Sequence, residues 1–146
     1  GCRSVEEEDG IKLFPPENAM HGGKFDLSAF SDQALTLAVI SCFADSPVTI
    51  TGIGHIRFQE CDRFQAIVSN LTRMGIECEK VDEETICIHP GKPKPCEIET
   101  FEDHRVAMSF AILGLVTSGI VILNPGCCRK TFETYFDVLE SEICMG

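Results

Sequence analysis

Four short segments concentrate side chains that can hold anions and move protons. They are Ser31-Asp32-Gln33, Arg57-Phe58-Gln59-Glu60-Cys61-Asp62-Arg63, Glu102-Asp103-His104-Arg105 and Pro125-Gly126-Cys127-Cys128-Arg129-Lys130-Thr131. Arg63 and Arg105 suit a planar carboxylate through paired N–H donors, and Lys130 suits a phosphate as a point charge. Asp32 and Glu60 would supply proton transfer beside those cations. Taken singly, each residue also has an ordinary structural reading. Asp32 or Asp103 could cap a helix, Arg63 could pair with a surface carboxylate, and His104 could be a satisfied residue of a first helical turn. The four segments share one property that favours a common site: each falls at or near the start of a helix-like run. There, free backbone N–H groups and the helix dipole favour negative charge.

The elements that must position these residues occur twice. Phe30-Ser31-Asp32-Gln33-Ala34-Leu35 and Phe101-Glu102-Asp103-His104-Arg105-Val106 open apolar segments about 71 residues apart, and Asp26 and Gln59 fall opposite Glu97 and Lys130. The repeat predicts corresponding helix starts in corresponding places. In the first copy the pattern predicts a strand over 24–28 and a helix over 33–44 capped by Ser31 or Asp32. A strand over 48–51 and a helix over 60–74 stopped by Gly75 follow. A hairpin of 76–81 with 85–89 completes that copy. In the second copy it predicts a strand over 97–100, a helix over 103–117 and a strand over 120–123. A last helix over 131–141 turns Phe132, Phe136 and Leu139 inward. Two short strands, 2–5 and 11–14, precede both. The fold class is therefore α/β, with repeats at about 24–90 and 95–146 whose helices pack on sheets. A Rossmann fold is not supported, because Gly52-Ile53-Gly54 alone is too weak a signature.

The 146 residues suffice for one domain or two small repeats sharing a core. A 44% apolar and 24% charged content is that of a globular protein. No apolar run approaches the roughly 20 residues of a membrane span, and no signal-peptide pattern is present, so a membrane is not expected as partner. A net charge of −11 argues against nucleic acid. Five of the twelve Lys and Arg (Arg57, Arg63, Arg105, Arg129, Lys130) nonetheless lie in the segments above, so a local cationic pocket fits an acidic chain. The nine cysteines are odd in number and include no Cys-x-x-Cys, so neither a disulfide framework nor a metal site is expected. Cys42 and Cys87 read as small core residues, and the cysteine usage suits a reducing cytoplasm. The chain opens on Gly1 rather than Met and reads as a processed chain or a fragment.

The motifs Asp32-x-Ala34-x-Thr36, Arg57-x-x-Glu60-x-Asp62-Arg63, Asp103-His104-Arg105-x-Ala107-Met108 and Pro125-Gly126-Cys127-x-Arg129-Lys130-Thr131-Phe132-x-x-Tyr135-Phe136 closely resemble the 3-phosphoshikimate 1-carboxyvinyltransferase (EPSP synthase) family, in the family's order. The resemblance runs from about residue 24 to the end. It implies part of the carboxy-terminal domain of a two-domain enzyme with the enolpyruvyl transferase fold, an inverted α/β domain of repeated βαβαββ units, and a partner in the missing amino-terminal domain. It implies transfer of the enolpyruvyl group of phosphoenolpyruvate to the 5-hydroxyl of shikimate 3-phosphate, with release of phosphate and without cofactor or metal. By motif, Asp32 would take the hydroxyl proton and Glu60 would help protonate the methylene. Arg63 and Arg105 would hold the phosphoenolpyruvate carboxylate, and Lys130 would contact its phosphate and serve as a catalytic residue in acid–base transfer. His104 would support the pocket, and His55 and Gln59 fall where the family contacts shikimate 3-phosphate. Gln59 departs from a position that is usually Lys, which removes a charge-assisted contact. The fragment alone is expected to be inactive. The alternatives are an enzyme like UDP-N-acetylglucosamine enolpyruvyl transferase, and a non-catalytic anion-binding module.

Overall fold

The computed structural model describes residues 1–143. An exposed antiparallel hairpin comes first, β1 (Arg3–Glu7) with β2 (Gly10–Phe14) in the register Arg3↔Phe14 to Glu7↔Gly10. Next, β3 (Gly23–Asp26) leads through a 3-10 turn, Ser31–Gln33, into α1 (Ala34–Ser41) and back to β4 (Val48–Thr51), which lies parallel to β3. A second 3-10 turn, Gly54–Phe58, precedes α2 (Arg63–Arg73) and the antiparallel pair β5 (Cys78–Lys80) and β6 (Ile86–Ile88). The four strands form one sheet in the order β3-β4-β6-β5. The unit then recurs as β7 (Cys96–Ile98), α3 (His104–Gly114) and β8 (Ile120–Ile122), with β7 and β8 parallel. A third 3-10 turn, Pro125–Lys130, leads to α4 (Tyr135–Val138) and a wider helical turn, Leu139–Ile143.

Period-two burial in β4 turns Val48 and Ile50 inward and leaves Thr49 and Thr51 facing out. α1 is apolar nearly all round, and its buried Ala34 and Ala38 leave room for α3 to pack alongside, where Thr36 and Ser109 meet at 3.5 Å. α2 is amphipathic, with Phe64, Ile67 and Leu71 in the core and Gln65, Thr72 and Arg73 outside. Phe110 and Leu113 of α3 belong to the same buried core as Ile86, Ile88 and Ile98. Gly75 ends α2 at φ +77°, a conformation costly for any residue with a Cβ.

Several boundaries differ from the sequence expectation, for local reasons. Neither Ser31 nor Asp32 caps α1; the segment enters through a 3-10 turn, and both side chains point elsewhere. α1 stops at Ser41, whose hydroxyl turns back to the Leu37 carbonyl. α2 starts at Arg63 rather than 60, because Asp62 caps it by accepting from the Gln65 N–H at 2.8 Å. No helix starts at Thr131. Pro125–Lys130 forms the 3-10 turn, α4 is a single short turn, Phe132 is exposed, and Phe136 and Leu139 are only half-buried. Cys42 is buried as expected, whereas Cys87 is half-buried and accepts from Thr49 on the outer face of the sheet. Residues 144–146 of the second repeat lie outside the described residues.

Candidate anion-binding and proton-transfer site

Arg63 is the first residue of α2 and its side chain is 2% exposed. A buried guanidinium must place five N–H donors, and here each finds an acceptor within the chain. Nε donates to Asp103 Oδ2 at 2.7 Å and Nη2 to Asp103 Oδ1 at 3.3 Å. Nη2 also donates to Glu60 Oε2 at 2.7 Å, and Nη1 to Asp32 Oδ1 at 3.0 Å and to Gln59 Oε1. Burial opposes the charge, but Asp103, Glu60 and Asp32 outweigh it and raise the Arg63 pKa.

The two candidate proton-transfer groups each tie a second cation to this hub. Asp32 Oδ2 pairs with Arg105 Nη2 at 2.9 Å, and Glu60 Oε1 with Lys130 Nζ at 3.4 Å. Asp32, Glu60, Arg105 and Lys130 are 44%, 35%, 38% and 61% exposed at their side chains, so this outer ring is open to solvent while Arg63 is not. Three cations and three carboxylates balance formally. An anion entering here must displace carboxylates rather than meet bare positive charge. Glu60 is held below the usual carboxylate range by its own backbone N–H, and then by Arg63.

Asp103 anchors both arginines. It is fully buried, caps α3 by accepting from the Arg105 N–H at 2.8 Å, and grips Arg63 with both oxygens. Burial pushes its pKa up, but the hydrogen bonds from Arg63 and the Arg105 backbone reverse this and hold it low. The chain reaches Asp103 through two consecutive left-handed residues, Phe101 (φ +52°) and Glu102 (φ +60°), a conformation costing about 1 kcal/mol or more for such residues. Glu102 is held in turn by Asn124 Nδ2 at 2.6 Å. His104, beside Asp103, is 7% exposed at its side chain, and its Nδ1 lies 3.9 Å from Asp103 Oδ1 with no hydrogen-bond partner among the described residues. Burial lowers its pKa, against the pull of Asp103 and Glu60.

His55 lies at the rim, its Nε2 2.7 Å from the Ser31 hydroxyl. Beside it, a cavity of about 340 Å³ is bounded by Phe30, Ser31, Asp32 and Gln59. A second cleft of about 250 Å³ lies between α1 and α3, with Asp32, His104 and Arg105 at its polar end and Met108 and Tyr135 along its wall. All eight sequence-nominated residues thus lie in one region. Asp32, Gln59, Glu60, Arg63, Arg105 and Lys130 join one contact network, with His104 and His55 at its edges. Lys130 reaches it from the end of a 3-10 turn and not from a helix N-terminus. Sequence reasoning treated Asp103 as a possible cap and missed it as the anchor of Arg63. Its signal was available, because it stands 71 residues after Asp32 at the equivalent point of the repeat.

The sequence profile of the EPSP synthase (3-phosphoshikimate 1-carboxyvinyltransferase) family matches residues 1–139. The chain is 43% identical over 136 residues to the 3-phosphoshikimate 1-carboxyvinyltransferase of Nostoc punctiforme, covering 93% of this chain and 32% of that protein. It is 35% identical over 147 residues to the chloroplastic enzyme of Brassica napus, covering 97% of this chain and 28% of that protein. The solved structure of EPSP synthase from Acinetobacter baumannii superimposes with a TM-score of 0.80 at 26% identity, over 94% of this chain and 35% of that one. The enolpyruvyl transferase NikO from Streptomyces tendae has the same fold, with a TM-score of 0.71 at 20% identity over 94% of this chain and 31% of that one. The chain therefore spans about a third of the length of the curated relatives it matches.

Proposed function

The chain belongs to the EPSP synthase family, and from that premise we propose that it is a carboxy-terminal half-site of an enzyme joining the enolpyruvyl group of phosphoenolpyruvate to the 5-hydroxyl of shikimate 3-phosphate. The observation that carries the reading is the pair of bridging carboxylates: Asp32 between Arg63 and Arg105, and Glu60 between Arg63 and Lys130. On this reading the phosphoenolpyruvate carboxylate takes Arg105 and contacts the hub at Arg63, and its phosphate takes Lys130. Asp32 Oδ2 is then released to accept the hydroxyl proton. Glu60 loses part of what depresses its pKa and becomes better able to carry a proton to the methylene carbon. His55 and Gln59 face shikimate 3-phosphate, and His104 supports the pocket wall. The missing amino-terminal domain supplies further anion contacts and closes the site against water. Among the described residues no helix is long and apolar enough to cross a membrane. Cytoplasmic placement belongs to the same proposal and rests on the cysteine usage.

A second reading, an anion-binding module without turnover, is favoured by one feature: Gln59 is neutral and its carbonyl is spent on Arg63. Phosphate release from phosphoenolpyruvate and shikimate 3-phosphate separates the two. The full-length parent should release phosphate, and this chain alone should release it at a negligible rate. A full-length parent that binds both ligands but releases nothing would establish the second reading.

A further inference from the structure

On the far face of the four-stranded sheet, a second group of side chains meets that the enolpyruvyl reaction does not use. β5 and β6 are antiparallel, with Glu79 opposite Cys87, and the His89 N–H donates to the Glu77 carbonyl, so Glu77 stands opposite His89. Residues two apart on a strand share a face, so the two facing pairs place Glu77, Glu79, Cys87 and His89 together on the solvent side. The ligand atoms of Glu77, Glu79 and His89 all lie within 4.8 Å of one another. His89 Nε2 is 3.9 Å from Glu79 Oε1 and 3.9 Å from Cys87 Sγ. The gap to Glu79 is too long for a hydrogen bond to the imidazole, and the contact with Cys87 is a long sulfur hydrogen bond. Donors bound at about 2.0–2.3 Å to a tetrahedral ion stand roughly 3.3–3.8 Å apart, so Glu77, Glu79 and His89 reach a small divalent ion by contraction of their side chains, and Cys87 joins them through its neighbour His89.

We propose that this block is a Zn²⁺ site, with His89 and Glu79 as its centre, Glu77 as a further oxygen ligand and Cys87 as the thiolate that completes a tetrahedron. Three further observations support it. The donor set of imidazole, thiolate and carboxylate is the one Zn²⁺ takes, and not the all-oxygen set of Mg²⁺ or Ca²⁺. Glu77 and Glu79 are like charges on one strand face, and neither forms an ion pair with Lys or Arg among the described residues, so a cation relieves their repulsion. The Thr49 hydroxyl, on the neighbouring strand, donates to Cys87 Sγ at 3.7 Å, an outer contact that would steady a thiolate. The ion would clip the edge strand β5 to β6. Its ligands are spaced Glu-x-Glu and Cys-x-His on facing strands, a pattern hidden from any search for Cys-x-x-Cys.

Titration of the 146-residue chain with Zn²⁺ by calorimetry, and with Co²⁺ by absorption, tests the proposal. One equivalent of either ion should bind, with tetrahedral Co²⁺ bands and a sulfur-to-cobalt charge-transfer band. His89→Ala and Glu79→Gln should each weaken binding roughly 10- to 100-fold or more. Cys87→Ser should remove the charge-transfer band, and Cys2→Ser should change nothing. Circular dichroism establishes that each variant is folded, and Glu79→Gln serves if His89→Ala is not. Absence of saturable binding, equal binding by Glu79→Gln, or a charge-transfer band that survives Cys87→Ser would each overturn it.

Discussion

Asp32 and Asp103 occupy the same place in the two repeats and have taken opposite fates. Asp103 is fully buried, caps α3 and grips Arg63 with both oxygens. Asp32 caps nothing, is 44% exposed at its side chain, and divides its oxygens between two arginines at the rim. The backbone accounts for much of the difference. The turn before Asp103 contains two left-handed residues that drive it inward, whereas Phe30, before Asp32, sits at a negative φ of −148°. The following 3-10 turns diverge in the same way. Gly54–Phe58 leads to an 11-residue helix headed by buried Arg63, and Pro125–Lys130 leaves Lys130 exposed before a short α4. One repeat thus holds the buried cation and the other its buried counter-ion. The groups left exposed at the rim are those that the proposed function brings to substrate.

Among the cations, the largest effects should come from the exposed pair at the rim. In the full-length parent, Lys130→Met and Arg105→Ala should each lower turnover by ~100- to 1,000-fold, about 2.7–4 kcal/mol of transition-state stabilisation. Steady-state kcat and KM at fixed ionic strength check this, and near-normal turnover in both would erase the functional contrast between rim and hub. The buried pair should answer in stability instead. Asp103→Asn leaves Arg63 with only partial compensation from Asp32 and Glu60, and should cost about 3 kcal/mol in urea unfolding of this chain. A loss well below about 1 kcal/mol would mean that the hub is not held by Asp103.

The same pair carries a pH signature of smaller size. Because the folded-state pKa of Asp103 is depressed, its contribution is present above the unfolded value of about 3.9 and is lost as pH falls through the lower folded value. The stability gap between the chain and Asp103→Asn should therefore be full above about pH 5 and narrow at lower pH. A gap that instead grows on acidification would contradict the assigned pairing. The smallest effect should be that of Arg73→Ala, at the far end of α2. Among the described residues exposed Arg73 donates only to the Glu97 carbonyl, at 3.0 Å, so its loss should leave turnover unchanged and stability within about 1 kcal/mol.

The α/β class, the strand at Val48–Thr51, the hairpin after Gly75 and the capping role open to Asp103 were legible because period, β-branching and glycine act locally. The helix expected from Thr131 failed because Phe132 and Phe136 are spaced for a helix that the surrounding structure does not bury. The cap expected of Asp32 failed for a long-range reason. Two guanidiniums 31 and 73 residues further along the chain outbid the local backbone N–H. The nominated site residues could be listed from motifs, but which would be buried and saturated could not. That depends on Phe101 and Glu102 adopting a conformation that neither residue type favours.

The divergence of the two aspartates is tested most directly by the pH dependence of kcat/KM for Asp32→Asn and Asp103→Asn in the full-length parent, each at a temperature where it is fully folded. Asp32→Asn should keep its stability to within about 1 kcal/mol. It should lose roughly 100- to 10,000-fold in kcat/KM, together with the limb of the profile that belongs to the proton acceptor. Asp103→Asn should keep the shape of the profile while its melting temperature falls. The reverse pattern, with the titrating limb lost in Asp103→Asn and retained in Asp32→Asn, would contradict the assignment of Asp32 as the acceptor and Asp103 as its anchor.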